Sequence, residues 1–187
     1  ARCGDQVLDT GRFVIEEFIR GEEYAVDVYF DDQGEPAIVN ILAHHFDSDD
    51  DVSDRVYVTS TDIVRKLHDP FMDTLVSIGK MAGLKNFPMH AELRIEDAGK
   101  VGIIEVNPLR FAGWCCADLA WFAYRVNPYE YFHKGLKPDW DALHQETKGA
   151  ITALVVADLP SDLDRRRITS VDYERFKAQF SQPLELR

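Results

Sequence analysis

The most restrictive feature of this sequence is a pair of predicted strands, about 89–96 and 101–107, joined by a short polar turn. The turn Asp97-Ala98-Gly99-Lys100 contains glycine and polar residues, which favour a tight connection between antiparallel strands. A four-residue turn makes Glu96 and Val101 the expected closing pair, and every other pair follows by counting outwards from it. The sequence therefore predicts the register of this hairpin as well as its existence.

That register places Glu92 opposite Glu105 and His90 opposite Asn107 on one face, because side chains alternate along a strand. Facing carboxylates have Cβ atoms about 4.5–5.5 Å apart, and like charges directly opposite destabilise a sheet. A divalent cation would offset the repulsion, and two carboxylates with the Asn107 amide oxygen suit Mg²⁺, with Mn²⁺ as an alternative. The competing interpretation is a solvated strand face. The opposite face is wholly apolar and is expected to belong to a core: Ala91, Leu93, Ile95, Gly102, Ile104 and Val106.

Composition narrows the class of protein. With 187 residues the chain is long enough for a hydrophobic core. A formal net charge of −12 argues against nucleic acid or anionic lipid as the main partner. Neither a run of about 18 apolar residues nor a secretory signal is present, so we expect no membrane partner. The three cysteines are an odd number without metal-binding spacing, which favours reduced thiols in the cytoplasm.

The order of predicted elements indicates an α+β fold, an antiparallel sheet with flanking helices. Asp31-Asp32-Gln33-Gly34 is a strong turn signal between two of the strands. Ser60 or Thr61 is expected to cap a helix reaching His68, and Pro70 to open another that ends at Gly83. The predicted strands are 13–19, 23–30, 36–46, 55–58 and 151–156 besides the hairpin, and further helices are predicted over 117–125, near 129 and over 171–180.

The stretch Ile104-Glu105-Val106-Asn107-Pro108, with an acidic residue on the preceding strand, resembles the metal site of the ATP-grasp superfamily. The resemblance implies that Glu92, Glu105 and Asn107 bind the Mg²⁺ that bridges the phosphates of ATP. It covers about residues 13–133. It implies the C-terminal ATP-grasp subdomain over 1–135, with 136–187 as an extension packing on it.

A second stretch, from Val14 to Asp27, is similar to the ATP-grasp hinge strand, whose backbone reads the edge of adenine. The resemblance implies that Glu16 and the backbone of Glu17 receive the adenine amino group. Within the same strand, Phe18 leads to Ile19, whose N–H would reach adenine N1. Glu23 would take the ribose hydroxyls. Alone, Glu16 and Glu17 would be ordinary strand charges.

Three arginines are candidates for binding anions. Arg110 follows the metal-site stretch, although the family often has arginine at the position of Leu109, and it is assigned to a phosphate or a substrate carboxylate. Arg55 and Arg94 are each able to hold phosphate or a substrate carboxylate, or to pair with a nearby acidic residue. The acidic loop 47–54 lacks the residues of a calcium loop, and the run 165–167 is expected to form surface ion pairs.

The resemblance implies an ATP- and Mg²⁺-dependent ligase that activates a small carboxylic acid as an acyl phosphate for capture by an amine. A non-catalytic or truncated nucleotide-binding module is the alternative, and an acyl-CoA-forming ATP-grasp ligase is a further one. The family's phosphate-binding lysines come from a subdomain that precedes the hinge strand, and no lysine precedes Lys66 here. We therefore expect catalysis to need an upstream segment. A homodimer is compatible with the sequence.

Overall fold

The computed structural model describes residues 15–46, 48, 53, 55–96, 98–113, 115–157, 159 and 163–187. Its strands and helices, in chain order, are β1 Glu22–Phe30, β2 Pro36–His45, β3 Val56–Thr59, α1 Thr61–Ala82, β4 Phe87–Ile95, β5 Val101–Pro108, α2 Asp118–Tyr124, α3 Pro128–Lys134, α4 Trp140–Thr147, β6 Thr152–Val155 and α5 Tyr173–Lys177. The strands form one antiparallel sheet in the order β5-β4-β1-β2-β3-β6. This confirms the predicted α+β class with an antiparallel sheet and flanking helices.

The central hairpin β1–β2 turns where the sequence predicts it. The Asp31 carboxylate accepts hydrogen bonds from the backbone N–H of Gln33 at 3.0 Å and of Glu35 at 2.9 Å. Gly34 has φ +88°, in the left-handed region that suits glycine. Lys137, between α3 and α4, reaches the same carboxylate at 2.8 Å and ties that connection to the turn.

Helix α1 packs against one face of the sheet and forms the main core with β1, β2 and β4. Its buried residues Val64, Leu67, Phe71, Leu75 and Gly79 follow a spacing of three or four and so lie on one stripe. Gly79 leaves room for the ring of Phe30, because a Cβ there would overlap that ring. The helix therefore lies close to the sheet over its whole length.

The prediction of two helices divided at Pro70 is wrong, because α1 runs without interruption from Thr61 to Ala82. Ser60 caps its first turn, and the left-handed Gly83 ends it. Proline inside a helix removes one hydrogen bond and costs about 3 kcal/mol. The buried stripe continues through this position, and its packing against the sheet outweighs that local cost. The last predicted helix, 171–180, is also shorter in the structure and covers Tyr173–Lys177.

The hairpin β4–β5 has the predicted pairing at one end and a different pairing at the other. His90 pairs with Asn107 and Glu92 with Glu105, as predicted. Beyond Glu92 the register shifts by one residue, so the closing pair is Ile95 with Val101 instead of Glu96 with Val101. The extra residue is Ile104, which forms a β-bulge, and counting outwards from the turn therefore gives the wrong pairs only at the turn end.

The bulge also changes what the apolar face of the hairpin contains. Gly102 lies opposite Arg94, on the polar face, instead of on the apolar one. On β4, Ala91 and Leu93 are buried as predicted, but β5 is an edge strand, and Ile104 and Val106 are 36% and 39% exposed. The predicted core on this face therefore holds for β4 and is wrong for β5.

The predicted buried strand 13–19 is also corrected. Its described residues, 15–19, are not part of the sheet; Ile15 is 84% exposed and Phe18 69% exposed. Ile19 instead contacts the polar face of the β4–β5 hairpin, where a Cβ on Gly102 would come within 2.6 Å of it. The segment thus crosses over a face of the sheet and does not form backbone hydrogen bonds with a neighbouring strand as part of the sheet.

Several predictions concern residues outside the described ones, namely Cys3 (one of the three cysteines), residues 13 and 14, most of the loop 47–54, and Asp97. Among the helices of the described residues, none combines the length and apolar character needed to cross a bilayer. The predicted strand 151–156 is present as β6, which pairs with β3. It extends the sheet beyond the part contributed by the first half of the chain.

Candidate functional site

One face of the sheet, called here the cavity face, carries side chains that change from charged to apolar across the strands. Cross-strand pairing aligns Glu105, Glu92, Ala25 and Leu42, from the edge strand β5 to β2. Beside this row, Tyr57 of β3 pairs with Leu154 of β6. Within these two rows, charges therefore lie on β4 and β5, and uncharged side chains on β1, β2, β3 and β6.

A cavity of about 400 Å³ lies on this face. Of the described residues around it, four carry charge, all of them on β4, β5 or the loop that follows β5: His90, Glu92, Glu105 and Arg110. The remaining lining residues are uncharged: Leu42, Tyr57, Ala112, Gly113, Cys116, Leu154 and Val156. The cavity therefore has a charged end and an apolar end.

The two facing glutamates line the charged end of this cavity. The Glu92 side chain is 25% exposed, and Glu105 belongs to the exposed edge strand. Asn107 lies on the same face as Glu105 and donates a short hydrogen bond from its amide nitrogen to the Glu105 carboxylate. The three predicted metal ligands are therefore adjacent.

Behind Glu92 lies a buried pair that sequence reasoning did not assign to the site. His90 is 5% exposed, and its Nδ1 donates to Asp27 Oδ1 at 2.8 Å. Its Nε2 lies 3.7 Å from Glu92 Oε1. The imidazole thus links the carboxylate of β1 to the carboxylate that lines the cavity.

The environment of His90 favours its charged form. Burial alone would lower the pKa of His90, but hydrogen bonding to Asp27 and Glu92 outweighs burial and raises it to about 9, against the opposing charge of Arg110. His90 is therefore an imidazolium at neutral pH, with both ring nitrogens acting as donors. It adds a positive charge to the charged end of the cavity.

Asp27 also holds the loop that follows β5. Its Oδ1 accepts a hydrogen bond from the backbone N–H of Ala112 at 2.7 Å. Its Oδ2 is buried without a hydrogen-bond partner among the described residues. This carboxylate therefore anchors both His90 and the loop that carries Arg110.

Arg110 is exposed beside the cavity and is not paired with an acidic side chain anywhere in the described part of the chain. Its one hydrogen bond is a long contact of 3.3 Å to the carbonyl of Phe111. A guanidinium in this position is available to bind an anion, and a carboxylate or phosphate suits its forked geometry.

Glu23, the predicted ribose ligand, is buried in a cluster with His44 and Arg94. It accepts hydrogen bonds from His44 Nδ1 at 3.0 Å and from Arg94 Nε and Nη2 at 3.0 and 2.8 Å. Burial alone would raise the pKa of Glu23, but these hydrogen bonds outweigh burial and lower the pKa below its ordinary value. Of the two roles considered for Arg94, this structure shows pairing with an acidic residue.

Arg94 also fixes the segment that precedes β1. Its Nη1 donates to the carbonyl of Ile19 at 2.7 Å, and its guanidinium lies 5.1 Å from the centre of the Phe18 ring. Arg94 is therefore in contact with three of the predicted adenosine-binding residues, Phe18, Ile19 and Glu23. The side chains of Glu16 and Glu17 are exposed and have no hydrogen bond or ion pair within the described residues.

Arg55 is exposed and lies at the start of β3, two residues before Tyr57 and thus on the cavity face. Its carbonyl accepts a hydrogen bond from the N–H of Val156 at 2.7 Å. Its side chain is not among those that line the cavity. The structure therefore places Arg55 at the border of the apolar end, across the sheet from Arg110.

The donor atoms at Glu92, Glu105 and Asn107 fit a hard divalent cation. Two carboxylates and an amide offer oxygen ligands, and the open cavity leaves room for the waters and phosphate oxygens that Mg²⁺ retains. The side-chain amide of Asn107 can present oxygen instead of nitrogen after a rotation of half a turn. Nowhere in the described residues do three or more His, Cys, Asp or Glu side chains form a metal-binding group, so the fit depends on the Asn107 amide.

Comparison with protein families identifies an ATP-grasp domain over residues 1–118. The chain belongs to the ATP-grasp family. The match contains the segment before β1, the β4–β5 hairpin and the loop with Arg110, and it ends at the start of α2. Helices α3 to α5 and strand β6 lie beyond it.

Solved structures similar to this ATP-grasp chain include phosphoribosylglycinamide synthetase from Anaerococcus prevotii, at 15% identity and a TM-score of 0.51, covering 73% of this chain and 34% of that one. L-amino acid ligase from Bacillus licheniformis matches at 20% identity and a TM-score of 0.45, covering 67% and 30%. Biotin carboxylase from Campylobacter jejuni, solved as a β,γ-ATP complex, matches at 16% identity and a TM-score of 0.49, covering 64% and 26%. The first of these supports the ATP-grasp fold.

The ATP-grasp chain spans about a quarter to a third of the length of these solved structures, 26% to 34%. Comparison with curated proteins gave no match.

The residues of the ATP-grasp site that sequence reasoning missed are Asp27, Tyr57, Leu154 and Val156, together with the link through His90. Asp27 carried a signal, because it is the one charged residue in the apolar stretch 24–30. The others carried none, because they are ordinary strand residues that reach the cavity only through the order of the strands.

Proposed function

We propose that this protein is an ATP- and Mg²⁺-dependent ligase that activates a carboxylic acid as an acyl phosphate for capture by an amine. The observation that carries the proposal is the facing pair Glu92 and Glu105, adjacent to Asn107 and open to a cavity in an ATP-grasp domain. A solvated strand face would not require a cavity lined by both carboxylates and an arginine.

In the proposed site, Glu92, Glu105 and Asn107 hold Mg²⁺, with Mn²⁺ as an alternative. When bound, the metal supplies positive charge to the phosphates of ATP. His90 keeps Glu92 oriented through its contact with the carboxylate, and Asp27 in turn fixes the ring of His90. The structural pairs at 2.8 and 3.7 Å support this arrangement.

Glu23 is assigned to the ribose, and Glu16, Glu17 and Ile19 to the adenine edge, with Phe18 beside them. Each carboxylate oxygen accepts more than one hydrogen bond, so Glu23 has capacity beyond its bonds to His44 and Arg94. We assign Arg94 an indirect role, since it already holds Glu23 and Ile19.

The acid binds through its carboxylate to Arg110, with Arg55 as a second cation at the border of the cavity. One carboxylate oxygen attacks the γ-phosphorus of ATP, ADP leaves, and the amine then displaces phosphate from the acyl phosphate. The protein contributes alignment and charge neutralisation.

We also propose that 1–135 is the ATP-grasp C-terminal subdomain and 136–187 an extension on it, and that turnover needs an additional lysine-bearing segment. None of the described residues lining the cavity is a lysine, which supports this requirement. Small acids and amines as partners, a homodimer and a cytoplasmic location are further parts of the proposal.

The test is release of phosphate from ATP by the intact protein across a panel of carboxylic acids, each with and without an amine. Acid-dependent release that produces an amide supports the ligase. Nucleotide binding without acid-dependent release in any combination favours the non-catalytic module. Release that yields a thioester when coenzyme A replaces the amine favours the acyl-CoA-forming alternative.

A further inference from the structure

The apolar end of the cavity indicates which kind of acid the site accepts. The cavity face has its cations and carboxylates at β4, β5 and the following loop, whereas its other end is formed by Leu42, Tyr57, Leu154 and Val156. No lining residue at that end carries charge, among the residues that the structure describes. A ligand bound along the cavity therefore meets charged lining residues at one end only, with the exposed Arg55 at the border of the other end.

Strand β6 contributes a wall that lies outside the ATP-grasp match. Leu154 pairs with Tyr57 and packs with the apolar cluster around Leu42, and Val156 follows it on the same face. The family match ends at residue 118, so this wall comes from the part of the chain that the family does not define. A wall with these properties is suited to selecting a substrate.

We propose that the acid activated here is a monocarboxylic acid with a compact apolar body, and that Leu154 and Val156 form the wall that selects it. This inference rests on the proposed function. The reacting carboxylate lies at Arg110, near the proposed metal ligands, and the apolar body extends toward Tyr57 and Leu154. A volume of about 400 Å³ is near the lower end for ligand pockets, which favours a small acid.

The same arrangement excludes acids with a second charge at the far end. A charged group placed against Leu42 and Leu154 would lose its hydration without gaining a partner among the lining side chains, because Arg55, the cation at this border, is exposed and does not line the cavity. Burial of apolar groups at that end is favourable because it removes apolar surface from water. Selection therefore uses attraction for apolar bodies together with rejection of charged ones.

The experiment compares three acids of similar length, using the protein together with the lysine-bearing segment that turnover is proposed to need: 4-methylpentanoate, glutarate and 4-aminobutanoate. We expect acid-dependent release of phosphate from MgATP with kcat/KM at least about tenfold higher for 4-methylpentanoate than for the other two. Val156→Ala should raise the KM for 4-methylpentanoate by about tenfold with kcat little changed, because it removes part of a remote wall.

A matched control is available in the neighbouring valine. Val155 lies on the opposite face of the sheet, so Val155→Ala should leave KM within about twofold. Leu154→Lys should shift the preference toward glutarate by placing a cation at the far end, and thermal melting of each variant checks that it is folded. Equal use of glutarate and 4-methylpentanoate, or equal effects of the two valine variants, would overturn the inference and leave the ligase proposal intact.

A binding measurement separates this inference from the proposed function. Binding of 4-methylpentanoate in the absence of nucleotide is measured by NMR, from changes in the chemical shifts of the protein. If no acid stimulates phosphate release but 4-methylpentanoate binds and Val156→Ala weakens its binding, the ligase proposal fails and the apolar selectivity stands. If 4-methylpentanoate neither binds nor stimulates release while another acid does, the apolar selectivity fails and the ligase proposal stands; if no acid binds or stimulates release, both proposals fail.

Discussion

Asp27 shows how one residue connects the core to the candidate site. It is fully buried in a strand whose other residues from 24 to 30 are uncharged. A buried carboxylate is tolerated only when charge and hydrogen bonds compensate its lost hydration. His90 and the N–H of Ala112 provide that compensation, and both belong to elements that line the cavity.

Replacing Asp27 should therefore destabilise the protein strongly. Asp27→Ala leaves His90 and the Ala112 N–H without their acceptor, and we expect the free energy of unfolding to fall by about 3–5 kcal/mol. Asp27→Asn keeps an acceptor and should cost less. Urea denaturation measures both, and Asp73→Ala on the exposed side of α1 is the control, expected within about 0.5 kcal/mol. Equal effects at the two aspartates would contradict the assigned role.

Glu105 should be essential for metal-dependent nucleotide binding and dispensable for folding. Glu105→Gln removes a negative ligand from an exposed edge strand, so we expect the melting temperature to stay close to that of the wild type. The affinity of the variant for ATP, measured by isothermal titration calorimetry, should no longer depend on Mg²⁺. Glu96→Gln, in the same hairpin, is the control and should retain it. A wild-type metal response in a folded Glu105→Gln protein would show that the site is wrongly assigned.

Glu23 should contribute to nucleotide binding independently of the metal. Glu23→Gln keeps the shape of the side chain but removes the charge that accepts from ribose, so ATP affinity should fall by about 1.5–3 kcal/mol. Glu22→Gln tests a neighbouring glutamate on the opposite face and should have little effect. The measurement is the Kd for ATP at fixed Mg²⁺, together with the Mg²⁺ affinity. An unchanged Kd for ATP would leave Glu23 with a structural role only.

At the scale of elements, the sequence was informative where local pattern decides structure. Counting outwards from the turn predicted the facing of Glu92 and Glu105, although the closing pair it started from is displaced by one residue and the bulge restores the pairing at the ligands. Alternation along the strands then put both glutamates on one face. It did not predict the bulge at Ile104, which depends on how two strands fit together. The sequence also predicted a break in α1 at Pro70, because proline disfavours the interior of a helix. In the structure, packing of α1 against the sheet outweighs that preference. The prediction of a buried strand over 13–19 was wrong for a similar reason. Apolar composition indicates that a segment can be a strand, but it does not provide an adjacent strand with which the segment can pair.

Pro70 should be a site where stability can be increased. Its side chain is exposed, so Pro70→Ala removes the ring from the interior of α1 and restores a backbone donor without loss of packing. We expect the free energy of unfolding to rise by about 1–3 kcal/mol, partly offset by the greater freedom of the unfolded chain. Urea denaturation checks this, with the exposed Met81→Ala as the control. A loss of stability would show that the proline is needed where it stands.

At the scale of the whole molecule, the distribution of charge matters more than its total. The chain carries a net charge of −12, yet its cavity contains the cations His90 and Arg110. A highly charged anion such as ATP must therefore be attracted by a local site against the overall field. A bound metal would add to these cations at the charged end.

The 187-residue chain alone should fold but turn over ATP very slowly. Its cavity offers two cations and no lysine among the described lining residues, so charge developing on the transferred phosphoryl group would be only partly neutralised. Supplying a lysine-bearing ATP-grasp segment upstream should raise acid-dependent phosphate release by orders of magnitude. The comparison is made at equal protein concentration, with Glu105→Gln as the inactive control in both forms. Robust turnover by the 187 residues alone would show that added lysines are unnecessary.

The bulge at Ile104 has a consequence for how this hairpin tolerates insertions and deletions. It lies between the turn at 97–100 and the pair formed by Glu92 and Glu105. The pairing register on the turn side of the bulge therefore differs by one residue from the register at the predicted ligands. Changes in turn length can be absorbed on one side of the bulge. Removing Ile104 itself would leave a regular hairpin in which Ile103 still pairs with Leu93 and Glu105 still faces Glu92. Natural variation in length is therefore expected at the turn and at Ile104, whereas the residue count from Glu105 to Asn107 should be fixed, because losing Val106 would turn Asn107 to the other face.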